Sequence, residues 1–226
     1  MKKYDHNALI KAAIKSFWET KQKQLTASGD SSNRGAVVGG KQLDAFAELL
    51  KRLAIEQGVP EKCIYTSQAY LPGYFRSSKD WDFLIIAPNK KLIAAVELKS
   101  QIGSYGNNFN NRTEEAIGSA VDLWTAFREN QFPGQTAPWI GYLTVVGKDE
   151  GSTNPVRNAT TSPIIPSFRN SSRPVIWTAT GFSARNSFWK GIIPWPHWFA
   201  PAVQTIMKIC PKTPPLSGSS FHSLVI

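Results

Sequence analysis

Asp82, Glu97 and Lys99 are the residues whose types and spacing could do chemistry: an aspartate followed, fifteen positions on, by Glu-x-Lys. All three lie in KDWDFLIIAPNKKLIAAVELKSQ, residues 79–101, where Val, Ile, Leu and Phe otherwise dominate. Charge within an apolar run costs free energy unless something binds it. Two carboxylates offer hard oxygen ligands to Mg²⁺ at ~2.0–2.1 Å, with positions left for water and a phosphate oxygen. A bound metal lowers the pKa of its water and neutralises developing charge, and a neighbouring lysine can position or activate that water. This is the equipment of phosphodiester hydrolysis. The plainer alternative is a surface hairpin with charges at its ends.

The elements that must position these groups are two strands, Trp81 to Ala87 and Leu92 to Lys99, joined by a turn at Pro88, Asn89 and Lys90. Strand side chains alternate, so Glu97 and Lys99 share one face while Val96 and Leu98 take the other. Asp82, near the start of the neighbouring strand, can reach the same place.

The 226 residues suit one domain, or one domain with an appendage. Cys63 and Cys210 supply neither a disulfide framework nor a metal-binding spacing. No run of about 18 apolar residues marks a membrane span. The amino-terminal MKKYDHNALIKAAIKSFWETK is interrupted by Lys11, Lys15 and Glu19 and lacks a small-residue cleavage site. It reads as an amphipathic helix and not a signal peptide, which makes the cytoplasm the default location.

A net charge of +10 favours an anionic partner such as nucleic acid. Its distribution weakens that inference. Residues 1–150 hold all sixteen acids and nineteen of the twenty-six Lys and Arg, a net of +3. Residues 151–226 hold seven Lys and Arg, no acid, ten of the fifteen prolines and four of the eight tryptophans.

Along the chain, residues 7–23 place Leu9, Ile10, Ala13, Ile14, Phe17 and Trp18 at helical spacing. The Gly- and Ser-rich LTASGDSSNRGAVVGG follows as loop. Lys41 to Gln57 is a second amphipathic helix, with Leu43, Phe46, Ala47, Leu50 and Leu53 as its stripe. Glu48 lies off the centre of that stripe, either as a solvated acid or as an extra carboxylate turned towards the metal. Gly58 and Pro60 stop the helix, and Cys63 to Ser67 suits a short strand. Arg76 and Lys79 are either phosphate contacts or solvated charges.

After Lys99 and Gln101, the segment GSYGNNFNNR has little helix or strand preference. Asn107, Asn108, Asn110, Asn111 and Arg112 suit a base-reading loop, because asparagine pairs bidentately with adenine and arginine with guanine. Gln101, at the end of the preceding strand, is grouped with them as a DNA contact. The bland reading is a turn in which Asn111 and Glu114 cap the next helix. That helix runs from Thr113 to about Glu129, with Ile117, Ala120, Val121, Trp124 and Phe127 on its buried face, and Trp139 to Gly147 is a further core strand. The order helix, strand, strand, strand, helix, strand predicts an α/β fold with a mixed sheet flanked by helices.

Helix, hairpin, helix and strand, with Asp and Glu-x-Lys on the hairpin, resemble the PD-(D/E)xK nuclease core. More narrowly, GGKQLDAF, YLPGYFR, KDWDFLII, AAVELKSQ, GNNFNNRTEEAIG and DLWTAFRE resemble the XhoI-type restriction endonucleases over roughly residues 35–150. The resemblance implies a restriction-endonuclease-like core in a homodimeric type II enzyme. Such an enzyme cuts double-stranded DNA at a palindrome, CTCGAG in the family's namesake, with Mg²⁺ and a methyltransferase protecting the host. On this reading Asp82 and Glu97 ligate metal, Lys99 assists the attacking water, and the Asn-rich segment lies against DNA. Trp81 stands where the PD pattern has its proline, a position that varies widely among such nucleases.

The resemblance fades after about Pro163, which divides a nuclease domain, residues 1–162, from an atypical tail, residues 163–226. Shifting the reading frame by one base fixes five residues through single-codon Trp and Met: three are acids, while Trp195 with Pro196 yields Ala and Trp198 with Phe199 yields Val. Trp177 with Thr178 yields Asp, and both Trp189 with Lys190 and Met207 with Lys208 yield Glu. A one-nucleotide indel near Pro163 explains both the loss of acids and the loss of pattern. Trp177 to Trp198 is then expected to be poorly ordered and the polypeptide impaired. Sequencing reads across that codon test the idea; an uninterrupted frame disposes of it.

Overall fold

The computed structural model describes residues 5–27, 41–103, 105–153 and 222–225. Its helices are α1 (His6–Ala27), α2 (Asp44–Glu56), α3 (Tyr105–Arg128) and the single turn α4 (Glu150–Thr153). Its strands are β1 (Ile64–Tyr65), β2 (Tyr70–Leu71), β3 (Lys79–Asp80), β4 (Phe83–Ile86), β5 (Leu92–Gln101), β6 (Trp139–Lys148) and β7 (His222–Val225). A five-stranded sheet has the order β1-β4-β5-β6-β7, and β2 pairs with β3 alone. The expected α/β class holds, with a mixed sheet flanked by helices. The stretch Trp177 to Trp198 lies outside the described residues.

Two compact units divide the chain. The first comprises Met1–Pro72, Ser78–Leu98 and Phe132–Gly141. In it α1 packs on α2 through Phe17 and Phe46, both fully buried and meeting edge to face at 6.1 Å. Ile10 and Ala13 of α1 are buried as the helical spacing requires. On α2 the buried residues are Phe46, Leu49 and Ala54, so of the expected stripe Leu43, Ala47, Leu50 and Leu53 are only partly covered. The turn between β4 and β5 lies where Pro88 and Asn89 place it: Lys90 takes φ +64° and its amide donates to Ala87 O at 2.8 Å. Gln135 extends this hairpin by imitating a strand partner. Its Oε1 accepts from Leu92 N at 2.9 Å while its Nε2 donates to Leu92 O at 3.2 Å.

The second unit comprises Gly73–Ser77, Lys99–Gln131 and Tyr142–Ile226. Two expectations need correction here. The Asn-rich segment expected as a loop is helix: α3 starts at Tyr105, eight residues before Thr113. Tertiary anchoring overrides the weak helix preference of asparagine. Tyr105 is buried, its hydroxyl donating to Asp149 Oδ2 at 2.6 Å with Gly147 O at 3.2 Å as a second acceptor. The buried face of α3 is also rotated. Ile117 and Val121 are exposed, whereas Ser119, Ala120, Asp122, Leu123 and Ala126 are buried. Asp122 is the cause, since a carboxylate with partners inside the fold turns the helix towards them.

Burial, with the Asp149 hydrogen bond, pushes the Tyr105 phenol from 10.0 up to about 12. A folded-state value raised above the unfolded one stabilises fully below about pH 10, and the contribution is lost as pH rises from 10 to 12. Tyr105→Phe should therefore lower stability at neutral pH by about 1 kcal/mol. Its deficit against the parent protein should shrink above pH 10, as read by urea unfolding across that range. A deficit that stays constant would show that the phenol ionises alike in both states.

Candidate active site

The β4–β5 hairpin brings the two acids together through its register. Phe83 pairs with Val96, Leu84 with Ala95 and Ile85 with Ala94; Asp82 lies one residue outside this ladder, and the same register carried one step further would oppose it to Glu97. Opposed residues of an antiparallel pair project to one face with Cβ atoms ~4.5–5.5 Å apart. A shift between Ile85 and Ile86, where Ile86 faces Leu92, places one extra residue on β5 near the turn. Without that bulge the register would slip by one, and the acids would face opposite sides.

Asp82 sits just before β4, and its Oδ2 accepts the Leu98 amide at 2.6 Å. That bond ties its carboxylate to the strand that carries Glu97. Glu97 is 5% exposed. Its counter-charge is Lys79, whose Nζ lies 2.8 Å from Glu97 Oε2 and 5.0 Å from the centroid of the buried Trp81 ring. Lys99 follows Glu97 by two residues on the unbroken β5 and is half-buried, so alternation directs it to the face of Glu97.

Asp82 and Glu97 fit a hard divalent cation in donor type and placement, because Mg²⁺ in phosphoryl chemistry typically takes one or two carboxylates and completes its shell with water and phosphate. Among the described residues no group of three or more His, Cys, Asp and Glu gathers as a fuller metal cage.

Comparison with known proteins adds the decisive observation. Residues 21–175 match the family described as restriction endonuclease XhoI. The chain belongs to that family. It is 49% identical over 154 residues to the type II restriction enzyme BstVI of Geobacillus stearothermophilus, covering 65% of this chain and 69% of the relative. It is 39% identical over 176 residues to the type II restriction enzyme XhoI of Xanthomonas vasicola, covering 74% and 71%. With AbrI of Azospirillum brasilense the identity is 40% over 166 residues, covering 70% and 73%. No solved structure matches the chain. As a XhoI-family member the protein is a DNA-cleaving hydrolase and a site-specific endonuclease.

The remaining predicted residues of the endonuclease separate into distinct settings. Glu48 is half exposed and paired with Arg52 one turn on at 2.9 Å, the arrangement of a solvated acid. Arg76 bonds through Nε to the buried Asp122 at 2.8 Å. Gln101 is 2% exposed and donates to Tyr105 O at 3.1 Å, so it supports the start of α3 from inside. Asn110 and Asn111 are exposed near the start of α3, and Arg112 pairs with Glu115. Asn107 and Asn108 lie in the first turn of α3, but their side chains are outside the described set.

Sequence reasoning weighed Lys79 only as a phosphate contact or solvated charge. Its place opposite a buried acid depends on β3, a two-residue strand with no periodicity to read. Lys79→Met keeps the aliphatic stem and removes the charge. In divalent-free buffer it should cost about 2 kcal/mol, less than a fully buried pair because Lys79 keeps some solvent contact. Added Mg²⁺ should narrow the deficit in the urea midpoint. An unchanged midpoint would mean that the Glu97 charge is balanced elsewhere.

Proposed function

We propose that this chain is a Mg²⁺-dependent type II endonuclease of the PD-(D/E)xK class that hydrolyses double-stranded DNA at a palindromic site, CTCGAG by resemblance to the family's namesake. The observation that carries the reading is the Leu98 N–H to Asp82 hydrogen bond beside the Phe83–Val96 pair, a register that one step on would oppose Asp82 to Glu97, with Lys99 two residues further along β5. Asp82 and Glu97 would hold the ion, which when bound lowers the pKa of a water and offsets charge on the phosphate. The Asp82–Leu98 hydrogen bond pre-orients the first acid. Lys99 orients the attacking water and stabilises charge developing on the phosphate oxygens. Contacts from Lys and Arg to phosphates make binding salt-dependent, while exposed Asn110 and Asn111 are suited to base edges.

A two-fold homodimer matches a palindrome, since each subunit then presents its one catalytic hairpin to one of the two strands. Such an enzyme works in the cytoplasm beside a methyltransferase that protects the host's own sites. Digestion of a mapped plasmid tests the whole reading: discrete, Mg²⁺-dependent fragments are expected, and smears or structure-dependent nicks would overturn it.

A second reading, an impaired DNA-binding remnant, is favoured by one observation. The family match ends at residue 175, within a stretch of 76 residues, 151–226, that has no acid. A frame-corrected version that cuts, beside a present chain that binds without cutting, would establish it.

A further inference from the structure

The loop Gly73–Ser77 displays two aromatic rings and is held far more firmly than an exposed loop needs. Asp122 of α3 is 4% exposed, and its Oδ1 accepts the Tyr74 amide at 2.9 Å and the Phe75 amide at 2.7 Å. Its Oδ2 pairs with Arg76 Nε at 2.8 Å. Gly73 is required for this approach, because a Cβ there would overlap the Asp122 carboxylate. Three donors from three consecutive residues thus converge on one buried acid. Yet the side chains so fixed are not buried: Tyr74 is 53% and Phe75 70% exposed, their rings edge to face at 4.9 Å.

Single exposed aromatics need no explanation. A pinned pair does, because ordering a loop costs conformational entropy that exposed rings recover only against a partner. We infer that Tyr74 and Phe75 form an apolar wedge that stacks on bases of the bound DNA, with Asp122 and Arg76 as its brace. This rests on the DNA-cleaving reading and names a contact within it. The neighbourhood suits a duplex. Exposed Asn111 lies eleven residues before Asp122 on the same face of α3, about three turns or 16 Å along the axis. A hydrogen-bonding group and a stacking group therefore share one side of one helix. Arg76 and Asp122 offset each other's charge, so the loop's affinity must come from its rings and not from phosphate neutralisation. Stacking of this kind is not a counterion effect.

The test compares the full-length protein with its Tyr74→Ala and Phe75→Ala variants, which alter only exposed side chains. The probe is a duplex containing a site that the parent enzyme itself cuts, titrated in Ca²⁺ at several salt concentrations. Phe75→Ala should weaken binding about tenfold and Tyr74→Ala several-fold, with the slope of log affinity against log salt unchanged. A 2-aminopurine placed in turn at each step of the site should brighten at one step with the parent protein and not with Phe75→Ala. Unchanged affinity and unchanged fluorescence in both variants would overturn the wedge while leaving the nuclease reading intact. So would a drop in salt slope, which would mark a phosphate contact. Conversion of a dimer to a monomer by Phe75→Ala, seen by sedimentation without DNA, would reassign the rings to a subunit interface and also overturn it. A parent protein that neither binds nor cuts any duplex defeats the nuclease reading itself, and the wedge with it.

Discussion

Glu97→Ala and Lys99→Ala proteins are expected to bind DNA and leave it uncut. Glu97 is buried on a central strand beside the backbone that Asp82 grips through Leu98 N, so its removal takes away one of the two acids proposed to hold the metal. Single-turnover cleavage should fall roughly a thousandfold or more, since a lost metal ligand removes several kcal/mol of transition-state stabilisation. Lys99→Ala should lose a comparable amount, because on the proposed mechanism Lys99 orients the attacking water. Affinity for the duplex in Ca²⁺ should change little with Lys99→Ala, as binding energy resides mainly in many phosphate contacts elsewhere. Glu97→Ala has a second expected consequence. Lys79 loses its counter-charge, so the folded state should be less stable while Ca²⁺ loses its ability to raise the melting temperature. Cleavage at parental rates in either variant would remove the replaced residue from the chemistry, and in both would defeat the proposed site.

The second large effect concerns folding. Asp122→Ala leaves the Tyr74 and Phe75 amides without their acceptor and the Arg76 guanidinium without its counter-charge. Arg76 is 42% exposed and can be rehydrated, so the cost falls mainly on the two orphaned amides, about 1–3 kcal/mol in all. Asp122→Asn keeps an oxygen for the amides and loses only the charge, so it should lie between the two. The urea midpoints should rank parent, then Asn, then Ala. Gly73→Ala should approach the Ala value, because its Cβ displaces the carboxylate instead of deleting it. An Asp122→Ala protein as stable as the parent would mean that the loop holds its shape without the acid.

Which elements could be read in advance follows from where their signals reside. The seam of α1 and α2 was legible because Ile10, Phe17 and Phe46 recur at helical spacing, and one buried stripe suffices to state it. The Pro88–Asn89 turn was legible because turn chemistry is local. The start of α3 was not, because Tyr105 is anchored by Asp149, forty-four residues away, and no local preference among the asparagines reports that bond. The rotation of α3 was missed for the same reason. A polar residue such as Asp122 reads as solvent-facing until its partners at Tyr74, Phe75 and Arg76 are known.

By itself, the sequence determined the family to which the chain belongs and named the hairpin residues proposed for its chemistry. Residue type and short spacing decide both, and Glu-x-Lys on a strand cannot avoid sharing a face. Only the tertiary structure decided that Asp82 is tied to β5 at Leu98, that Lys79 is the cation beside Glu97, and that a buried carboxylate holds two aromatic rings out to solvent. Each of those depends on a register or a pairing between distant segments. A one-residue slip, which leaves composition and periodicity untouched, would undo the first.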